Sequence, residues 1–209
     1  MSRSEPHRVD TTRPSLLLRI RNREDTRAWR AFDEIYRPML LRFAHARGLN
    51  DADAEDVVQF CMSAVVGQLE TFEYDRSVGR FKSWLRTLVN NRARDLWRKR
   101  AAVSADPDAF DRLADNSPRP EEAFEQIWME EHLRYCLREL RQEVSQRDYQ
   151  AFEAVAIEQR SPAEVSAELG ISRGALYTIK WRLTERVAVK MRALLGADGD
   201  DEAARQRSG

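Results

Sequence analysis

Lys82, Arg86, Asn90, Arg94 and Arg98 recur at every fourth position, a spacing that lines cations and an amide along one side of a helix. A row of that kind neutralises the phosphates of a nucleic-acid strand. Phe72, Tyr74, Phe81, Trp84 and Trp97 precede these bases or are interleaved with them. Aromatic rings among cations suit unstacked bases, which need both a π-face and charge neutralisation. The competing role is a solvated helix whose rings turn into a core, and by pattern alone Phe81 and Trp84 divide evenly between the two. Farther along, Arg173, Lys180 and Arg182 stand beside Tyr177, Thr178 and Trp181, a mixture able to meet the phosphates and base edges of a duplex.

Other chemistries find little support. Asp51, Asp53, Glu55 and Asp56 have the look of a calcium loop's opening, but its sixth position holds Asp56 instead of Gly and its twelfth Met62 instead of Glu. His7, His45 and His132 are scattered, and Cys61 and Cys136 lie far apart amid apolar neighbours. Buried, reduced thiols are expected rather than a disulfide or a zinc site. There is no Gly-rich phosphate loop and no Ser, His and Asp set. The expectation is a protein that is not an enzyme, with no catalytic residues, no cofactor and no metal.

Charge is organised in blocks. The chain's 35 Lys and Arg balance 35 Asp and Glu, which taken whole argues against nucleic acid as a partner. Between Asp51 and Asp75, however, seven acids face no base, and between Arg76 and Arg100 nine bases face Asp95 alone. From Ser104 to Glu131 nine acids oppose Arg112 and Arg119, and from Ser172 to Arg192 six bases oppose Glu185. Two basic surfaces are thus separated by acidic ones.

The elements that must carry these groups are helices. With 8 Gly and 7 Pro in 209 residues, the chain has too few turn residues for an all-β fold. Residues 1–14 read as a flexible tail. Trp29, Phe32, Ile35, Tyr36, Met39, Leu40 and Phe43 mark an amphipathic helix containing Pro38, closed by Gly48. Asn50 or Asp51 caps the next, whose apolar face is Ala54, Val57, Val58, Cys61, Val65 and Leu69. The period breaks from Thr71 to Gly79, and Phe81, Trp84, Leu85, Leu88, Ala93 and Leu96 form the apolar side of the basic helix. Residues 101–122, with Pro107, Pro118 and Pro120 among several Asp, read as an acidic linker. The fold class is therefore all-α, with two small helical domains at 15–100 and 123–196 and a disordered tail at 197–209. No apolar run approaches the length of a membrane span, and none at the N-terminus reads as a signal peptide, so the expected location is cytoplasmic with no membrane partner.

The second domain ends in a recognisable pattern. Phe124 to Leu140 reads as helix, Ser145 with Asp148 caps another, and Ser161-Pro162-Ala163-Glu164 reads as a capping box with Pro at the first helical position. Gly170 closes that short helix, Ile171 fills the turn and Ser172 caps a further helix carrying Leu176, Ile179 and Leu183. Helix, three-residue turn and basic helix is the layout of a DNA-binding helix-turn-helix.

Taken in order, Trp29, Tyr36-Arg37-Pro38, Asp53-Ala54-Glu55-Asp56-Val57-Val58-Gln59, Gly79-Arg80-Phe81-Lys82-Ser83-Trp84-Leu85, Asn91, Asp95 and Arg98, followed by a linker and a helix-turn-helix, resemble a bacterial extracytoplasmic-function (ECF) sigma factor over about residues 16–195. The resemblance implies a subunit that directs core RNA polymerase to promoters. It implies that Asp53, Glu55, Asp56, Val57, Val58 and Gln59 meet the β′ clamp helices. It assigns Phe81, Lys82, Trp84, Asn91, Arg94, Arg98 and Lys99 to melting and capture of the −10 element, and Ser172, Arg173, Tyr177, Thr178, Trp181 and Arg182 to the −35 element, with the surrounding helices near the β-flap. It further implies promoter DNA and an anti-sigma factor as partners. Two departures stand out: Phe60-Cys61-Met62 replaces the more usual acidic and aromatic residues, and Tyr177-Thr178 stands where the family commonly has a basic pair. The rival reading is a helix-turn-helix regulator that binds duplex DNA without core polymerase.

Overall fold

In a computed structural model the described residues are 16–68, 78–103 and 120–195. The tails expected at 1–14 and 197–209, Leu69, the loop from Thr71 with Phe72 and Tyr74, and linker residues 104–119 lie outside them. Helices α1 (Leu16–Arg19), α2 (Thr26–Ala46), α3 (Asp51–Gln68), α4 (Val78–Val103), α5 (Pro120–Glu143), α6 (Gln146–Phe152), α7 (Pro162–Leu169) and α8 (Arg173–Leu195) follow one another, with no strand among the described residues. None of these helices is long and apolar enough to cross a membrane.

The starts and stops have local causes. Asp25 caps α2 by accepting from the Ala28 amide at 2.9 Å, and a paired Arg19 guanidinium holds it in place. The Ala28 amide, followed by Arg19, keeps the Asp25 carboxyl below its ordinary pKa. Asn50 rather than Asp51 caps α3, its Oδ1 accepting from the Asp53 amide at 3.0 Å, and Asp51 and Asp53 then fill a first turn where the helix dipole favours acids. Ser145 caps α6 through the Asp148 amide. Helix α7 starts at Pro162 as expected, but the Ser161 side chain makes no cap bond, so the capping box is not formed. Proline's preset φ and missing N–H suffice to begin the helix there. A π-helical turn at Glu153–Ile157 links α6 to α7. Gly170, at φ 60°, ends α7 in the left-handed region that a side chain disfavours.

Helix α5 runs antiparallel to α2 and belongs to two apolar clusters. Phe124, Ile127 and Trp128 join Phe32, Tyr36, Met39 and Phe43 of α2, Val57, Val58 and Cys61 of α3, and Phe81, Leu85 and Val89 of α4. Two to three helical turns later, Cys136 and Leu140 join Phe152, Leu183 and Val187. A third cluster, Ala151, Ala154, Val155, Val165 and Leu176, holds α6, α7 and α8 together. Burial of a large apolar side chain stabilises by roughly 1.5–3 kcal/mol, so Phe124, Ile127 and Trp128 attach α5 firmly to the first cluster. The seam is completed by polar groups: Arg42 bonds Glu130 and Glu131, each at 2.6 Å, and Arg138 donates to the Glu34 carbonyl at 3.2 Å. Both cysteines are buried and free, and burial pushes each thiol up to about 12.

Candidate nucleic-acid interface

The basic stripe of α4 is divided by α5. Lys82 is ion-paired with Glu125 and lies 5.7 Å from the Trp128 ring centre, while Arg86 approaches the same carboxylate at 3.8 Å. Asn90 turns back to donate to the Arg86 carbonyl. Beyond it the surface is open: Asn91, Arg94, Arg98 and Lys99 are exposed, and Arg98, 77% exposed, has only a 3.7 Å approach to Asp95. Arg47, at the end of α2, adds a further cation. Its carbonyl accepts from Trp97 Nε1 at 3.1 Å, while its buried Nε has no hydrogen-bond partner. Burial first, and then the charge of Arg94, lowers its pKa. Two neighbouring guanidinium groups with donors to spare form a local field that a phosphate would satisfy.

The aromatic residues separate into different roles. Phe81 is only 4% exposed, its ring surrounded by Tyr36 at 5.5 Å, Trp84 at 5.7 Å, Phe32 at 6.2 Å and Trp128 at 6.4 Å. It is a core ring and offers no free face to a base in this arrangement, because α5 covers the side that α2 leaves open. Trp84 is half-buried at the rim of that cluster.

Helix α3 sorts its expected docking residues in the same way. Val57 and Val58 are fully buried and present no surface, since they continue the Ala54 and Cys61 face. Asp53 is half-buried. Glu55 pairs with Arg37 at 3.1 Å and Asp56 accepts from Arg92 Nε at 2.9 Å. Gln59 is exposed, as is Phe60 at 42%, with the Arg92 guanidinium 5.0 Å from its ring centre. Phe60 and Arg92 extend the surface of Glu55 and Gln59 and were not among the expected docking residues. The available signal was that Phe60 lies off the apolar face marked by Ala54, Val58, Cys61 and Val65.

The second basic block lies on α8. Gly170, Ile171 and Ser172 separate α7 from α8, and Ser172 Oγ accepts from the Ala175 amide at 3.1 Å. Leu176 and Leu183 face the core, while Ser172, Arg173, Tyr177, Thr178, Trp181 and Arg182 are all exposed. Arg182 is nonetheless ion-paired with Asp148 of α6, and Arg186 and Lys190 both reach Glu143, at 2.7 and 2.6 Å. Among the described residues no group of three or more His, Cys, Asp or Glu is arranged to hold a metal ion.

Residues 32–103 match the family model described as Sigma-70 region 2. They comprise most of α2 and all of α3 and α4, so the match contains the exposed Asn91–Lys99 surface and the Glu55–Phe60 edge. A domain of this type binds core RNA polymerase and promoter DNA, and its presence supports a place in the sigma factor family and a role in transcription initiation.

Proposed function

We propose that this chain, with its sigma region 2 domain at residues 32–103, is a promoter-specificity subunit of the ECF type, divided into functional domains at 15–100 and 123–196. In this reading Glu55, Gln59 and Phe60, with Asp53 and Asp56 at the rim, dock on the polymerase clamp. Asn91, Arg94, Arg98 and Lys99, with Lys82 once released from Glu125, hold the −10 element as it melts, and Trp84 serves the unstacked base. Base capture costs a few kcal/mol of unstacking, offset by ring stacking and hydrogen bonds. Helices α7 and α8 act as the helix-turn-helix for the −35 element, with Ser172 and Arg173 at the helix start, where a phosphate is favoured, and Tyr177, Thr178, Trp181 and Arg182 along the recognition helix. The protein performs no chemistry of its own and takes no cofactor.

The observation that carries this reading is the open cationic and amide surface from Asn91 to Lys99 inside a region 2 domain. It is tested by adding the full chain to core RNA polymerase and scoring promoter-directed transcription. Stable assembly and initiation at a defined start are expected. Duplex binding without assembly would favour a helix-turn-helix regulator instead. Within the assembled enzyme, Asn91→Ala impairs promoter opening more than polymerase binding, as monitored by permanganate reactivity of unpaired thymines.

A further inference from the structure

Helix α8 turns an apolar edge outward. At about 100° per residue, Trp181 lies about 160° around the axis from the buried Leu183, with Gly174, Tyr177 and Thr178 flanking it on the outer face. Trp181 is 72% and Tyr177 55% exposed. The Thr178 hydroxyl is engaged within the helix, donating to the Gly174 carbonyl at 3.0 Å, which leaves its methyl as the outward group. Most cations farther along α8 are committed elsewhere: Arg182 to Asp148, Arg186 and Lys190 to Glu143, and Arg192 to Glu185. Arg173 and Lys180 are the described bases of α8 without an ion pair. Glu185 stands on the outer side two turns after Thr178 and is closed off by its pair with Arg192 at 3.0 Å, so the readable stretch ends before it.

We propose that α8 recognises the C5-methyl groups of pyrimidines in the major groove, through the Thr178 methyl, the Trp181 indole and the Tyr177 ring, while Arg173 and Lys180 hold the flanking backbone. The inference rests on the reading of α7 and α8 as a duplex-binding pair. In the major groove the thymine methyl is the one apolar mark on a base edge, and it pairs with apolar side chains. Bidentate guanine recognition, by contrast, needs a free guanidinium along the outward face, and there Asp148 holds that of Arg182, while the unpaired Arg173 stands at the first position of the helix, beside the backbone. In unmodified duplex DNA thymine is the only source of such a methyl.

The test uses the full chain assembled with core RNA polymerase to select sites from a random duplex pool. The enriched duplex is then resynthesised with deoxyuridine replacing thymidine, one position at a time. Affinity is expected to fall about fourfold for each contacted methyl, the value of one buried carbon. A variant combining Trp181→Ala with Thr178→Ser, which removes the indole and the methyl but keeps the hydroxyl, is expected to assemble with polymerase and lose that discrimination. Equal affinity for both duplexes at every double-stranded position overturns the inference, as does unchanged discrimination in the variant. A variant that no longer assembles gives the face to a protein surface and overturns it too. If no duplex sequence is enriched at all, the duplex-binding reading itself fails, which distinguishes the two failures.

Discussion

The Arg138 guanidinium donates at 3.2 Å to the Glu34 carbonyl, the acceptor that Pro38, four residues on and without an N–H, cannot serve. A proline inside α2 is therefore supported from α5. Replacing Arg138 with Ala is expected to destabilise by about 0.5–1 kcal/mol, the net worth of one partly solvated hydrogen bond. In a Pro38→Ala background the helix supplies its own amide, and the same replacement should cost less. A double-mutant cycle by urea denaturation reads the coupling, and additive costs would mean that the contact does not compensate for the proline.

Glu131 is the buried carboxylate of the α2–α5 seam, its side chain 3% exposed between Arg42 at 2.6 Å and Arg134 at 2.9 Å. Removing one partner of a buried ion pair costs more than the pair contributes, because a charge is left desolvated. Arg42→Ala should destabilise by about 2–3 kcal/mol, below the fully buried case because Arg134 remains and Arg42 is itself a third exposed. The denaturation midpoint checks it, and a change no larger than that of Arg134→Ala would count against this seam as a stabilising contact.

His132 makes the seam sensitive to acid. Its Nδ1 lies 2.7 Å from the Trp128 carbonyl, which can only accept, so Nδ1 carries the proton and Nε2 faces the Tyr36 hydroxyl at 3.5 Å. Burial, with a smaller contribution from the charge of Lys82, lowers its pKa from 6.5 to about 4. Below the unfolded value the denatured chain takes up a proton that the folded chain refuses. Stability is therefore lost as pH falls from 6.5 toward about 4, by about 3 kcal/mol when complete. Urea titrations across that window should show the slope, and His132→Gln should flatten it.

Glu125 occupies cations that the proposed −10 surface would use. Glu125→Gln should raise the free protein's affinity for a single-stranded oligonucleotide several-fold at low salt. The salt dependence should steepen by about 0.7 for each phosphate gained by Lys82 or Arg86. Fluorescence anisotropy across a salt series measures both, and an unchanged slope would show that Glu125 does not compete with phosphate.

Much of this was legible from residue spacing. The Ile35, Tyr36, Met39 and Phe43 face of α2 and the Val57, Val58 and Cys61 face of α3 are buried as their periods require. Pro162, Gly170 and Ser172 mark the ends of α7 and α8 because their preferences are positional. The period was less informative about partners. Phe124, Ile127 and Trp128 announce an apolar face without saying that α2 and α4 cover it, and that covering decides the fate of Phe81 and Lys82. Val57 and Val58 adjoin Asp56 in sequence yet point the other way, since consecutive helical residues diverge by about 100°. Assigning a whole run to one surface could not capture that.

The double membership of α5 bears on how the chain can be divided. The segment that matches region 2 ends at residue 103, yet the rings of Tyr36, Phe43 and Phe81 are roofed by Phe124 and Trp128 from beyond it. A fragment cut at the family boundary would carry an aromatic trench open to water. Expression fragments should therefore run through His132, and a shorter one would report the stickiness of an unroofed core rather than the properties of the domain.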